Sequence, residues 1–336
     1  MPAETRWIDA WIRWERTDDD EEEKEEEEQA DETPSPPTDT FSFAYHKTST
    51  TPTTTIEIHL QGFPSDSEQT WNSTGLTLWR SSASLCDYLA RAWNQANVEE
   101  ATTSKNLWIR NHRFLELGAG LGRSGILAWH CLSSLSLQNE YDDDDDADGG
   151  GGSSGDNNIS DVTKDLYLTD GDTDVMGQLR QNVQENPPPT EESTEKDDSN
   201  MSPTTHTDNS DLPHPSQQVN LTCAQLLWGR TPARTFLQET ADGEPMDVIF
   251  GSDLVYVEKV ITPLMETVTT LLAQPTGRFL MAHCARREGN EVTVDMVLEA
   301  AVEHGLQYDV LDQPEDDITL FCFRWKEDDA ECAAYP

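Results

Sequence analysis

The sequence has little positive charge. Of its 336 residues, 22 are Lys or Arg and 65 are Asp or Glu, which gives a formal net charge of -43 at pH 7. Nucleic acids and anionic membranes repel such a chain, which argues against both as its main partners. Much of the charge is local: residues 18–28 are nearly all carboxylate, and residues 142–146 are all aspartate. Such blocks are typical of solvated, disordered segments and also of acidic arms that attract a basic partner, and both interpretations stay open.

Long apolar runs and paired cysteines are also missing. No segment approaches the roughly 18 apolar residues that a membrane span needs. Asp9 and Arg13 interrupt the N-terminal apolar residues, so we expect no signal peptide. The six cysteines are scattered and form no C-x-x-C pair, which predicts reduced thiols and no zinc site. We therefore expect a soluble protein of the cytoplasm or nucleus, a monomer with no metal, no nucleic acid and no membrane partner.

Low-complexity segments divide the chain. The mean hydropathy of -0.68 indicates that part of the sequence lies outside any core. Acidic, Gly-rich or Pro/Ser/Thr-rich composition marks about 18–40, 138–161 and 187–217. We predict an acidic, largely disordered tail over 1–40, an extension that packs on the core over 41–112, a core over 113–326 with insertions near 138–161 and 187–217, and a C-terminal tail over 327–336.

Strand and helix patterns alternate in the remaining sequence. A strand is predicted at 113–117 and a helix at 123–135, followed by a strand at 166–170 and a helix at 172–186. Further strands are predicted at 219–222, 247–250, 278–283 and 318–325, and further helices at 261–273 and 292–304, the last ended by Gly305. This alternation predicts an α/β fold with a parallel sheet and helices on both faces. Such a sheet binds ligands beyond the C-terminal ends of its strands.

A glycine-rich segment follows the first of these strands and reads Phe114-Leu-Glu-Leu-Gly-Ala-Gly-Leu-Gly122. Glycines are needed where a backbone turns sharply and approaches a ligand closely. Two registers fit. E-x-G-x-G-x-G, starting at Glu116, resembles the first motif of class I methyltransferases, whereas residues 120–125 satisfy G-x-G-x-x-G, the dinucleotide fingerprint. The first register is favoured because Gly118 already occupies the position directly after the strand.

Asp170 ends the second predicted strand, where its carboxylate could accept hydrogen bonds from two ribose hydroxyls. Both nucleotide-binding registers use an acid at this place. A helix cap is the structural alternative, and we assign that cap to Asp172. The long separation of Gly118 and Asp170 is attributed to the insertion near 138–161, because long surface loops add little closure entropy.

Further motifs accompany the loop: a tryptophan-bearing segment ending at Trp79, Thr-Asp170 followed by Asn182 and Asn186, Leu-Leu-Trp228-Gly, and Asp253-Leu-Val-Tyr256. In this order they resemble the seven-β-strand protein-lysine methyltransferases of the methyltransferase-like 21 type (family 16). The resemblance covers about 71–325. Ser252 is a mild departure, since the family often has alanine there, and the low-complexity insertions are unusual.

The resemblance implies a Rossmann-like class I methyltransferase fold, with a seven-stranded, mostly parallel sheet, and S-adenosyl-L-methionine as the cofactor. It implies cofactor contacts at Trp79, Glu116, Gly118, Ala119, Gly120, Gly122, Asp170, Trp228 and Ser252. Within this assignment, Glu116 would hold the methionine amino group. Asp253 and Tyr256 are the catalytic candidates.

For a lysine substrate, Asp253 would draw in and orient the lysine head, and Tyr256 would shape the channel and hydrogen-bond the amine. A helix cap and a packed aromatic are the structural alternatives for these two residues. The implied partner is a protein with an accessible lysine, and the acidic chain suits a basic surface. A small-molecule or protein-histidine methyltransferase of the same fold stays open, as do a nicotinamide-dependent oxidoreductase and a catalytically silent binding module.

Overall fold

The computed structural model describes residues 39–48, 53–63, 74–96, 107–108, 111–141, 163–189, 219–285 and 292–326. The acidic block at 18–28, the aspartate run at 142–146 and the C-terminal tail lie outside the described residues, so the predictions made for them stay predictions. Most of the two insertions predicted near 138–161 and 187–217 also lies outside. Among the described residues, no helix is long and apolar enough to cross a membrane.

One sheet of seven strands forms the centre of the fold. Strands β5, β4, β3, β6 and β7 lie side by side in that order and run parallel, and β9 and then β8 continue the sheet in antiparallel pairing. This arrangement confirms the predicted seven-stranded, mostly parallel sheet of a class I methyltransferase fold. The strand bounds are β3 Arg113–Leu117, β4 Lys164–Asp170, β5 Val219–Gln225, β6 Val248–Ser252, β7 Arg278–Cys284, β8 Leu306–Glu315 and β9 Ile318–Trp325.

Helices connect the strands and cover both faces of the sheet. Their bounds are α1 Arg80–Asn94, α2 Arg123–Tyr141, α3 Thr173–Glu185, α4 Arg230–Glu239, α5 Ile261–Leu271 and α6 Val294–Glu303. Asp172 is the N-cap of α3, since its carboxylate accepts a hydrogen bond from the Asp174 N–H at 2.8 Å. Gly305 follows α6 with a φ of +84°. Both predicted helix boundaries are therefore confirmed.

Several elements were absent from the sequence prediction. The residues in the middle of strand β8, including Tyr308 and Val310, are exposed. Buried and exposed side chains therefore do not alternate along β8 as they do in a half-buried strand. Helix α4 is mostly polar and buries only Ala233 and Phe236, so few apolar residues mark it in the sequence. The register of β8 against β9 shifts on either side of Asp312, an irregularity that a sequence pattern does not reveal.

A two-stranded antiparallel hairpin precedes the central sheet. It consists of β1 (Asp39–Lys47) and β2 (Thr54–Gly62). Ile56, Ile58 and Leu60 alternate along β2 and are buried in the same apolar cluster as residues of α1 and α2. The hairpin is thus part of the main core, and β2 continues toward the segment that leads into α1.

Two asparagines, one in α3 and one at its C-cap, fasten this hairpin to the central fold. The Asn182 side chain accepts the Gln61 N–H at 2.9 Å and donates to the Gln61 carbonyl at 3.1 Å. One helical turn later, Asn186 accepts the His59 N–H and donates to the His59 carbonyl, both at 2.7 Å. The two asparagines, four residues apart, thus bond the backbone of two residues that lie two apart on the edge of β2. Their side chains satisfy N–H and carbonyl groups of β2 that a neighbouring strand would otherwise pair.

Truncation of one asparagine tests this clamp. Asn186→Ala leaves the His59 N–H and carbonyl without their side-chain partners, so we expect the free energy of unfolding to fall by about 2–4 kcal/mol. Gln184→Ala, on the exposed side of the same helix, is the control and should change it by less than about 0.5 kcal/mol. Urea denaturation measures both, and equal stabilities of the two variants would contradict the role given to the clamp.

Candidate active site

The glycine loop, residues 118–122, joins β3 to α2 at the C-terminal edge of the sheet. Its three glycines have φ angles of +60°, +54° and +90° at Gly118, Gly120 and Gly122. Residues with a Cβ rarely adopt this left-handed region, so the sequence must place glycine there. The loop is fixed to β4 by the Ala119 N–H, which donates to the Thr169 carbonyl at 2.8 Å.

Gly118 is where the loop meets two other predicted motifs. A Cβ at this position would lie 2.9 Å from Leu254 Cδ2 and 3.7 Å from Trp228 Cζ2. Leu254 belongs to the Asp253-Leu-Val-Tyr256 segment, and Trp228 belongs to the Leu-Trp-Gly segment after β5. Segments that are far apart in the sequence therefore contact the loop at its first glycine.

Gly120 connects the loop to the other two motifs. Its N–H donates to Asp170 Oδ2 at 3.1 Å. A Cβ on Gly120 would lie 3.0 Å from the Gly75 carbonyl oxygen, so the tryptophan-bearing segment passes directly beside the loop. In that segment the Trp79 indole N–H donates to the Thr74 carbonyl at 2.8 Å. This bond fixes the indole ring relative to the segment that contacts Gly120.

Asp170 occupies the end of β4 beside the loop. Its two carboxylate oxygens accept backbone N–H groups, Oδ1 from Asp172 and Oδ2 from Gly120, both at 3.1 Å. Burial raises the pKa of this carboxyl, and the N–H donors of Asp172 and Gly120 oppose the rise. Each carboxylate oxygen can accept more than one hydrogen bond, so ribose hydroxyls could donate to the same group.

Two predicted cofactor residues face the interior of the fold. The Glu116 side chain is only 2% exposed, and a Cβ on Gly125 would lie 2.4 Å from its Oε2. It therefore lies beneath the loop, against the first turn of α2. A Cβ on Gly122 would meet Leu179 at 2.6 Å. The structure thus places Glu116 and Gly122 beneath the outer surface of the loop, and their predicted contacts with the cofactor stay predictions.

The Glu116 carboxyl is an unusual group to bury. Desolvation raises its pKa to about 8, and hydrogen bonds from Ser124 and the Gly125 backbone oppose the rise only in part. The neutral acid is therefore the favoured form in the folded protein at neutral pH. Its Oε2 has no hydrogen-bond partner among the described residues.

The Asp253-Leu-Val-Tyr256 segment follows β6 at the same edge of the sheet. Asp253 has a φ of +53°, a left-handed conformation that is unusual for a residue with a side chain. Leu254 and Val255 are buried, whereas Asp253 and Tyr256 are half-buried. Ser252, the last residue of β6, pairs with Ala282 of β7. The two apolar residues thus anchor the segment and leave its two polar residues at the surface of the site.

Ser81 also lies at this place and was not predicted from the sequence. Its backbone N–H donates to Asp253 Oδ2 at 3.3 Å, and its side chain is fully buried. It lies two residues after Trp79 in the first turn of α1. The sequence signal was its proximity to Trp79, which alone does not indicate a contact with a segment more than 170 residues away.

The site has the features that S-adenosylmethionine requires. The backbone over residues 118–120 carries no side chain larger than the methyl group of Ala119, so a ligand can approach it closely. Asp170 offers a carboxylate to hydroxyl donors beside this stretch. Trp79 and Trp228, each partly exposed, lie on segments that contact opposite ends of this stretch. The residues present therefore fit the nucleoside part of this cofactor.

Comparison with known families supports this interpretation. The sequence model of the lysine methyltransferase family matches residues 194–300, the range that includes Trp228, Ser252 and the Asp253–Tyr256 segment. The match confirms the resemblance to that family noted in the sequence, and with it S-adenosylmethionine as the cofactor. A search of curated proteins finds no match.

A structural comparison with solved proteins finds methyltransferases. A ribosomal protein L11 methylase from Lactobacillus delbrueckii subsp. bulgaricus is 10% identical, with a TM-score of 0.40 over 74% of this chain and 81% of that one. A TehB-like S-adenosylmethionine-dependent methyltransferase from Corynebacterium glutamicum is 15% identical, with a TM-score of 0.35 over 73% and 99%. The N-methyltransferase NodS from Bradyrhizobium japonicum is 12% identical, with a TM-score of 0.36 over 74% and 97%. Similarity at this level transfers no substrate to this chain.

The loop geometry predicts the effect of adding one methyl group. Gly120→Ala places a Cβ against the Gly75 carbonyl, on a residue whose backbone is left-handed. We therefore expect the affinity for S-adenosylmethionine to fall by about tenfold or more, equivalent to at least about 1.4 kcal/mol. Gly177→Ala is the matched control, since Gly177 is exposed in α3 with no heavy atom within 4 Å of the added Cβ. Isothermal titration calorimetry measures both affinities, and equal values would argue against the loop as the cofactor site.

Burial of Glu116 predicts a dependence of stability on pH. Its carboxyl has a pKa of about 8 in the folded protein and an ordinary value of 4.5. The unfolded chain therefore loses this proton first, and the stability present below about pH 4.5 is lost as the pH rises toward 8. Between about pH 4.5 and pH 8 the free energy of unfolding of the native protein should fall by on the order of 3–5 kcal/mol. Glu116→Gln has no ionisable group at this position and should not show this fall. Denaturation at several pH values checks this, and parallel stability curves for the two proteins would contradict it.

The family match, the fold and the convergence of four motifs on one glycine loop lead to a single conclusion. The chain is an S-adenosylmethionine-dependent methyltransferase.

Proposed function

We propose that this methyltransferase transfers the methyl group to a lysine side chain of a protein. The observation that carries the proposal is the packing of Leu254 against Gly118. This contact keeps Asp253 and Tyr256 next to the loop that is proposed to hold the methyl donor. The name of the matched family supports the same substrate class.

The cofactor would be held by the backbone at Gly118, Ala119 and Gly120, by the Asp170 carboxylate and by the rings of Trp79 and Trp228, with Ser252 at the end of β6. S-adenosylmethionine, when bound, supplies a methyl group that is already activated by a sulfonium. The protein therefore contributes mainly by positioning the nucleophile in line with the bond that breaks, which can lower the barrier by several kcal/mol.

A lysine nucleophile must first become neutral. Its ammonium has an ordinary pKa of about 10.4, so at neutral pH it has no lone pair to donate. Removal from water lowers that pKa and favours the amine. Asp253 can attract the incoming ammonium and orient it before the proton leaves to solvent. Tyr256, half-buried at the other end of the segment, can bound the channel and accept or donate a hydrogen bond at the amine.

The position of Asp253 suits this task. Ser81 donates to Oδ2 only, and no other donor to this carboxylate occurs among the described residues, so Oδ1 can accept a hydrogen bond from a substrate ammonium. A fully paired carboxylate would have less capacity for that contact. The half-buried side chain also lies where a substrate entering from solvent could meet it.

The decisive experiment uses labelled S-adenosylmethionine and an extract of undermethylated proteins, with mass spectrometry to identify the modified residue. We expect label on lysine with the native enzyme. Label on a small molecule or on histidine would replace the lysine proposal with another methyltransferase of the same fold. Binding without any transfer would indicate a catalytically silent module.

Variants test the two catalytic candidates. Asp253→Asn removes the charge that orients the ammonium, so we expect the rate of lysine methylation to fall at least about 100-fold, or about 2.7 kcal/mol in the barrier. Tyr256→Phe should lower it about tenfold. The affinity for S-adenosylmethionine should stay within about threefold in both, because neither change touches the loop. Glu299→Gln, on the exposed side of α6, is the control; native activity in Asp253→Asn would refute its assignment.

A further inference from the structure

The start of α1 contacts three separate parts of the active-site edge. Trp79 immediately precedes the helix, and its segment lies beside the glycine loop. Arg80 forms ion pairs with Glu315 and Asp317 at the turn between β8 and β9, the latter with 3.1 Å between Nη1 and Oδ2. Ser81, the next residue, contacts Asp253 and Ala282.

The contacts of Ser81 form a closed set of hydrogen bonds. Its N–H donates to Asp253 Oδ2 at 3.3 Å, and its Oγ donates to the Ala282 carbonyl at 3.3 Å. The same carbonyl accepts the Asp253 N–H at 3.0 Å. The ends of β6 and β7 and the first turn of α1 are thus joined around one catalytic candidate.

Two features of this arrangement indicate that it holds Asp253 in place. Asp253 has a left-handed φ of +53°, which persists in a residue with a Cβ only where its surroundings impose it. The Ser81 N–H is one of the first helical donors, which have no acceptor within the helix. Trp79, at the N-cap, offers no side-chain cap, so the Asp253 carboxylate caps α1 from another element, and the helix dipole favours its charge there.

We propose that Ser81 is a positioning residue for Asp253 in the methyl transfer. The hydroxyl ties the helix start to the Ala282 carbonyl, and the N–H of the same residue then holds the carboxylate over the site. The inference rests on the proposed function, because Asp253 matters for catalysis only if the substrate brings an amine to it. Ser81 itself is fully buried and does not contact the substrate.

The variant Ser81→Ala removes the hydroxyl and keeps the backbone N–H. We expect kcat for lysine methylation to fall about tenfold, with the dissociation constant of S-adenosylmethionine within about threefold of the native value. Ser84→Ala is the matched control, a serine buried on the same helix, and should keep kcat within about twofold. Thermal denaturation of both variants establishes that they are folded at the assay temperature.

A double variant separates positioning from a general structural effect. If Ser81 acts through Asp253, adding Ser81→Ala to Asp253→Asn should lower kcat no further. Losses that multiply would overturn the proposal, as would native kcat in Ser81→Ala. If kcat of Ser81→Ala is low only because the protein is partly unfolded, the double variant again shows a further loss and the proposal fails.

Crystal structures of the native protein and of Ser81→Ala make the test independent of the substrate. We expect the Asp253 carboxylate to leave the Ser81 N–H, or its backbone to leave the left-handed region, in the variant. An unchanged Asp253 would overturn the positioning role even if activity fell. Failure of the native protein to methylate any lysine would instead refute the proposed function, and the crystal structures would still decide whether Ser81 fixes Asp253.

Discussion

The close approach of other segments to the backbone of Gly118 and Gly120 is the constraint on which the site depends. One more carbon at Gly118 would lie 2.9 Å from Leu254, and one more at Gly120 would lie 3.0 Å from the Gly75 carbonyl. Both distances are too short for an ordinary contact, and both residues are left-handed. The missing side chains therefore allow the Asp253–Tyr256 segment and the Trp79 segment to reach the same loop.

The N-terminal hairpin and α1 belong to the catalytic unit as much as the sheet does. Asn182 and Asn186 hold β2 against α3, and β2 leads toward the segment that contains Gly75. The first turn of α1 then contacts Asp253 through Ser81. A region that precedes the central sheet in the chain thus supplies one wall of the site and one support of its charged group.

Much of the fold could be predicted from the sequence, because the central strands are short apolar runs and glycine or capping residues mark several helix ends. The N-cap of α3 was correctly assigned to Asp172, because this carboxylate stands directly before the helix, and the ribose contact of Asp170 stays a prediction. Strand β8 could not be predicted because both of its faces are exposed in the middle. Glu116 and Ser81 illustrate the same limit for the site: whether a side chain lies above or below a loop, and which distant segment it contacts, depends on packing that no local pattern encodes.

The asparagine clamp also bears on how this chain tolerates variation in length. Asn186 follows the last residue of α3, and a long Pro-, Ser- and Thr-rich stretch begins directly after it. Since the cost of closing a loop grows only slowly with its length, residues added or removed beyond this point need not disturb the hairpin or the site. The stretch after Asn186 can therefore vary in length and sequence, while the Asn186 side chain keeps the hairpin in place beside α3.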